Sequence, residues 1–482
     1  MKGAIATTLA PATSSPHAGE PAGYTQRLAE FCCNLDYAML PADVIDKTKL
    51  CILDSIGTML AGATTELGAS ALQAGARFAS EPIATVVGMK RRVSPPSAAL
   101  INGTLSEIFE LQDGWRFGNN HPCVVIPAAL AMAQWKGATG KALLASVVAG
   151  YELTNRLAWA VHPNHLGRGY LPTGTAGTCG SAAAAGKLLG FDATQMADAL
   201  GVAGFILPVS TAENLWCGYS AKPLHSGYAA KLGIEAALMA EQGFAGCPVE
   251  GTPVRGRGFL EIMTGEVKFE RIVDRLGEHY TLRDVYFKAF PACRHVHGTA
   301  EATLNIVRSR RIDPREVERI DVFTYTLSAS LLNRYTDARS SMIAAQFSIP
   351  YVAAAAIVDA SLGTEQFADR RIHDPEILAL ARKVHVAPDA SIDARYPQVT
   401  PTRVEIRLGS GEVLHNQVDM PKGDPRAPMS EDELFAKFEH LAGLALDAKR
   451  VAVIKERVLR IEREHDLEPL FDLLEGRPGV TT

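Results

Sequence analysis

The sequence predicts a mainly α protein, in which a large all-helical domain is joined by a smaller α+β domain. Three observations predict it. From Tyr24 to about Leu282, Ala-rich stretches of helical length are punctuated by glycine, and alternating β-branched runs are scarce. After Asp284, short β-rich segments appear between helical ones. From Ser430 to about Leu474 the pattern becomes helical and charged again, as if the chain returned to the first domain. A chain of 482 residues is also too long for one core and favours two.

Taken in order, Met1–Gly23 is rich in Ala, Pro, Ser and Thr with Lys2 its one basic residue, and is expected to be a flexible tail. Its apolar stretch is short and broken by threonines, which argues against a secretory signal or a membrane span. The helical domain is expected over 24–283. Within it, Asp43–Gly62 places Val44, Ile45, Leu50, Ile52, Leu53, Ile56 and Leu60 at helical spacing, and Val125–Lys136 follows Pro122 with Pro127 at the expected helix start. Ser181–Leu189 is a run of helix formers interrupted by Gly186. The α+β domain is expected over 284–419. Its strands are Arg319–Tyr325, Lys383–Ala387, Arg403–Leu408 and Val413–Val418, the last two joined through Ser410-Gly411, and its helices are Gly298–Ser309 and Ser341–Ala360. The returning helices occupy 420–475, with Glu431, Asp432 and Glu433 in a first turn.

Composition excludes several classes. With 47% apolar and 21% charged residues the chain is a soluble globular protein, and a net charge of −5 without basic runs gives no footprint for nucleic acid. Eight scattered cysteines without a C-x-x-C pair fit a reducing cytoplasm better than a zinc ribbon or a disulfide scaffold. His295-Val296-His297 lacks a further ligand at metal-site spacing, so no metal is expected, and one packed and one functional histidine is the simpler reading. Gly174-x-x-Gly177-x-x-Gly180 lacks the strand and the Gly-Lys-Ser/Thr of a phosphate loop, and is expected to serve tight helix packing. Ser226, beside His225, lacks the G-x-S-x-G elbow of a hydrolase.

Four segments set polar groups among small or apolar ones, where an ionisable side chain needs a partner or a ligand. Glu110-Leu111-Gln112-Asp113-Gly114-Trp115 precedes Asn119-Asn120-His121-Pro122, and its carboxylates and imidazole could either move protons or cap a helix. Arg168-Gly169-Tyr170-Leu171-Pro172-Thr173-Gly174-Thr175 suggests an ordered loop. Lys222 sits in a stretch otherwise uncharged from Cys217 to Ala230, and either reaches water or binds an anion. Phe287-Lys288-Ala289-Phe290-Pro291-Ala292-Cys293-Arg294-His295-Val296-His297-Gly298 lies at the expected domain junction, as a site or as a basic linker.

Together with Ile52–Gly62, Ile101-Asn102-Gly103, Gly150-Tyr151-Glu152, Gly233–Gly246 and Gln346-Phe347-Ser348-Ile349-Pro350-Tyr351, these segments resemble the MmgE/PrpD family, which includes 2-methylcitrate dehydratase, cis-aconitate decarboxylase and iminodisuccinate epimerase. The resemblance runs from about Tyr24 to the C-terminal helices. It implies an α+β lid over a helical domain, a site between the two, a homodimer, a small anionic carboxylate as substrate, and catalysis with no metal or organic cofactor. Carried over by position, the acidic loop falls on Glu110 and Asp113, the histidine after it on His121, the two lysines on Lys222 and Lys288, and a further histidine on His297.

Where cis-aconitate decarboxylases carry a catalytic histidine, this chain has Leu171, which transfers no proton. Gly114 stands where the animal decarboxylases have a threonine and Cys293 where they have a histidine. The acidic loop is one residue longer before His121, and the tyrosine expected near Asn333 is supplied by Tyr335. Decarboxylation is therefore the family activity least expected.

The first expectation is a cofactor-independent hydro-lyase of the 2-methylcitrate dehydratase type. His121 would act as acid or base with Asp113 orienting it. Lys222 and Lys288 would hold carboxylate, and either becomes a base if burial lowers its pKa. Glu110 and Tyr335 are secondary proton carriers beside the substrate, His297 also lines the pocket, and Cys293 shapes it rather than attacking. The runner-up is an epimerase or isomerase of an imino- or amino-dicarboxylate; a carboxylate-binding protein without catalysis ranks last.

Overall fold

A computed structural model describes residues 23–78, 80–117, 122–252 and 256–476. Met1–Ala22, nearly all of the expected tail, lies outside the described residues. Helices α1 (Tyr24–Asn34), α2 (Ala42–Gly62), α3 (Pro95–Glu107), α4 (Pro122–Lys136), α5 (Gly140–Val161), α6 (Pro172–Leu189), α7 (Ala193–Ile206) and α8 (Leu224–Glu241) build the first body. The protein is thus mainly α with a smaller α+β part.

Composition explains the central position of α6. Its residues Pro172–Gly186 are all buried, and their small side chains let α5 and α8 pack on either side of it. A Cβ on Gly180 would lie 2.7 Å from Gly150 O of α5, so the glycine series lies inside a helix and serves packing. Gly190, with φ +76°, ends the helix in the left-handed conformation that glycine adopts without strain. The next helix, α7, opens with a reciprocal cap between Asp192 and Gln195.

Two expected elements differ in detail. The helix placed at Val125–Lys136 begins at Pro122, and Pro127 lies inside it. Pro127 has no N–H for the Cys123 carbonyl, and that carbonyl faces Gly103 of α3. The stretch Ser341–Ala360 is two helices, Met342–Gln346 and α10 (Ile349–Asp359), because Ser348 Oγ accepts from Tyr351 N at 3.0 Å and Pro350 sits in the new first turn.

The sheet of the second body is ordered β2-β1-β3-β4, where β1 is Val317–Thr324, β2 Val384–Pro388, β3 Thr402–Leu408 and β4 Val413–Val418. β1 pairs parallel with β2 and antiparallel with β3, and β3 and β4 form a hairpin. Ile320, Val322, Val404 and Ile406 alternate inward, and α9 (His297–Ser309) and α10 pack on that face. Charged Arg319, Asp321 and Arg407 face outward.

Two hydrophobic cores result. One gathers residues of α1–α8 with Leu434–Leu474, because α11 (Glu431–Gly443) and α12 (Ala448–Leu459) fold back onto α2. The other runs from Ala292 to Val418 and takes in Leu171, Ala212 and Leu215 from the helical part of the chain. Among the described residues no helix is long and apolar enough to cross a membrane.

Candidate active site

The site is set up where α3 and α8 touch backbone to backbone. A Cβ on Gly227 would lie 2.3 Å from Leu100 O, so two helices with any larger residue here would be pushed apart. One turn beyond this contact α3 ends at Glu107, and just before α8 stands Lys222. The chain after α3 turns through Glu110, whose φ of +53° is strained for a residue with a Cβ, at a cost of about 1–3 kcal/mol. The loop beyond is pinned by Gly114 and Tyr286, which exchange backbone bonds of 3.0 and 2.8 Å. Lys288 follows two residues later.

These constraints bring four buried charges together. Lys222 Nζ donates to both Glu107 Oε1 and Glu110 Oε2, and Lys288 Nζ donates to Glu110 Oε1 at 2.6 Å. The Phe347 ring lies 5.6 Å from Lys222 Nζ, and Ser226 Oγ gives Glu107 Oε2 a further bond of 2.8 Å. Burial opposes each charge, but the neighbours outweigh it. Lys222 is held above the ordinary lysine value by Glu107 and Glu110, Glu107 is held below its own by Lys222, and Glu110 by Lys222 and Lys288. Lys222 is therefore a fixed cation, and the expectation that burial frees it to act as a base is corrected: two carboxylates override desolvation.

Asp113, three residues after Glu110, behaves in the opposite way. It is buried, accepts from Tyr151 Oη at 3.2 Å, and has its carboxyl pushed up to about 8 by burial and then by the charge of Asp54. Asp54 is itself paired with Lys437 at 2.6 Å. Asp113 thus belongs to a second polar group beneath the loop, with Cys51 and Tyr151, and is not a partner of the lysines.

The remaining expected residues divide. His121 lies outside the described residues. Cys293 is buried close to Glu110 and Lys288, and burial, with Glu110 adding to it, pushes its thiol up to about 12, so it stays protonated. His297 is corrected: its Nε2 faces Ala292 O at 3.1 Å and its Nδ1 the Arg294 guanidinium at 3.4 Å, so the ring holds the turn before α9. Burial, then Arg294, keeps it well below the ordinary histidine value and hence neutral. His295 bonds the Tyr325 hydroxyl, so the His-x-His pair does not converge. Tyr335 is also corrected. It is 48% exposed and gives its hydroxyl to Val384 O of β2 at 2.7 Å, which ties it to the sheet rather than to the lysines. Among the described residues no group of three or more His, Cys, Asp or Glu could hold a metal ion.

A cavity of about 320 Å³ opens beside Lys222, bounded by Leu171, Pro208, Ser210, Asn214, His225 and Tyr228 among others. It falls where the two bodies meet, since Leu171 belongs to the second core and Gln346 of that body donates to Ile108 O at 3.1 Å. Two participants were missed at the sequence level, Glu107 and His225. Glu107 is the one charged residue in Pro95–Glu107, a signal of the same kind that singled out Lys222. His225 lies three residues after that lysine.

Residues 26–272 match the MmgE/PrpD N-terminal domain and residues 290–463 the MmgE/PrpD C-terminal domain. The cis-aconitate decarboxylase of Aspergillus terreus is 28% identical over 474 residues, covering 94% of this chain and 96% of that protein. The cis-aconitate decarboxylase of Homo sapiens is 28% identical over 479 residues, with 94% of each chain covered. The mitochondrial 2-methylcitrate dehydratase of Yarrowia lipolytica is 24% identical over 442 residues, with 85% of this chain and 82% of that one covered. Together the two domain matches span most of the chain, and the chain belongs to the MmgE/PrpD family.

Proposed function

We propose that this chain, an enzyme of the lyase type like its named relatives, is a hydro-lyase that removes water from a small polycarboxylate. The observation that carries the reading is the meeting of Lys222 and Lys288, from segments far apart in sequence, on one carboxylate beside a cavity. Taking the proton next to a carboxylate builds negative charge on that carboxylate's oxygens. A fixed ammonium there binds the charge more strongly as it grows, which lowers the barrier. Glu110 occupies that position in the structure, so a substrate carboxylate would compete with it or join it on the lysines. His121 is the proposed base, with Asp113 and Tyr151 supporting the loop that leads to it. The name of the Yarrowia lipolytica relative, a dehydratase, agrees with this reaction.

Decarboxylation of cis-aconitate is the second reading, favoured by the names of the relatives at 28% identity. Against it stands Leu171 on the cavity wall, at the position where the resemblance places a catalytic histidine in those enzymes. A screen of citrate, 2-methylcitrate, cis-aconitate and iminodisuccinate by proton NMR in deuterated water separates the possibilities. The expected result is an alkene signal with loss of the hydroxy acid. Loss of carbon dioxide would establish the second reading. Deuterium entering a product of unchanged connectivity would mean an isomerase, and no change in any acid would refute catalysis on this class.

A further inference from the structure

Lys222 cannot exchange protons in the cavity, because Glu107 and Glu110 hold it as an ammonium. Among the described residues that line the cavity, the imidazole is that of His225. It is 9% exposed, in the first turn of α8, and among the described residues neither ring nitrogen has a hydrogen-bond partner. A buried ring normally satisfies at least one nitrogen, so an idle ring on a cavity wall is arranged for a ligand.

We propose that His225 is a catalytic residue, the acid that protonates the hydroxyl leaving the substrate. This rests on the hydro-lyase reading. The carboxylate beside the reacting carbon lies against Lys222, and the leaving hydroxyl faces the His225 ring three residues further along the chain. The base of that reading takes the proton from the carbon, and that C–H electron pair becomes the second bond of the alkene. The C–O bond breaks with its electrons on oxygen, the imidazolium gives that oxygen its proton, and water leaves. The base and the His225 imidazole then return to their starting forms by exchanging one proton with solvent.

The surroundings set one carboxylate beside the ring. Glu107 of α3 places Oε1 3.6 Å from Nε2, beyond hydrogen-bond length but close enough to compensate an imidazolium. Lys222 faces the same carboxylate from the other side, with Glu110 behind it, and Cys123 of α4 and Ser226 bond Glu107 Oε2. Tyr228 shares the cavity wall, and the 208–214 segment presents Ser210, Thr211 and Asn214.

The test compares the wild type with His225→Gln, which keeps the size of the side chain, in dehydration kinetics from pH 5.5 to 8.5, together with calorimetric binding of the best acid. The expected result is a fall in kcat of about 10²–10⁴-fold, affinity within about threefold of wild type, and loss of the alkaline limb of the kcat profile. Retained kcat with an unchanged profile overturns the proposal, and so does a loss of affinity with kcat retained. If His225→Gln does not fold, Glu107→Gln serves instead. It leaves the acid in place but removes its counter-charge, so a shifted alkaline limb supports the proposal and an unmoved limb overturns it. A wild type inert toward every acid refutes the parent reading and this inference with it, whereas failure of His225 alone leaves the parent reading standing.

Discussion

Glu110 and Asp113 lie three residues apart on one loop, both buried, and their environments drive them in opposite directions. Glu110 meets two ammonium groups and is held as a carboxylate. Asp113 meets a phenol, a thiol and another carboxylate, and keeps its proton to about pH 8. Burial is equal at the two sites, so the neighbours decide the protonation state. The lysine side of the loop is a site for anions. The Asp54 side behaves as a neutral foundation on which the loop rests.

The strongest way to break this contrast is to remove the cation. Lys222→Met leaves Glu107 and Glu110 buried, with Lys288 still paired to Glu110, and is expected to cost about 3–5 kcal/mol in urea unfolding. The same substitution should lower kcat/KM by at least about 10²-fold, since it removes a charge facing the developing anion. A stable, active Lys222→Met would show that the pairs do not organise the site.

Next comes the foundation. Between the ordinary aspartate value near 3.8 and about 8, the folded protein holds a proton on Asp113 that the unfolded chain has released. Stability contributed through this group therefore falls as pH rises through that window, by up to about 1.4 kcal/mol per pH unit. Glu107 and Glu110 act with the other sign, and what they contribute is lost as pH drops below the usual glutamate range. Asp113→Asn should flatten the neutral slope, so urea midpoints at pH 5 and 7.5 should lie closer together than in wild type. An undiminished slope would mean that Asp113 is ionised. The smallest effect is expected from Tyr335→Phe. It removes one partly exposed hydrogen bond to Val384 O, worth about 1 kcal/mol in thermal unfolding, and should leave kcat/KM unchanged; a large kinetic loss would return Tyr335 to the site.

The legible part of the site was the part where a charge broke an apolar pattern. Lys222 in its uncharged stretch had to find a partner, and Glu110 and Lys288 were noticed for the same reason. Glu107 carries the same signal at the end of α3, next to the more conspicuous acidic loop. His225 carries no such signal, since a histidine beside a serine is unremarkable in sequence. Tyr335 and His297 are not legible in this way, because position along a resemblance does not say where a side chain spends its hydrogen bonds. A β-sheet carbonyl takes the first, and a backbone turn and a guanidinium hold the second. The fold was read from periodicity, which reports burial well. It reports breaks poorly: the interruption at Phe347-Ser348 depends on a hydroxyl cap followed by Pro350, inside an Ala-rich run.

The contact between α3 and α8 carries a consequence for how this chemistry can be altered. Gly103 and Gly227 have no functional group, yet they set the spacing that lets one ammonium reach two carboxylates. A methyl group added at either position would act as a wedge, widening the gap by ångströms and separating charges several residues away. The tuning of the reaction centre is thus written partly in residues that contribute only thinness.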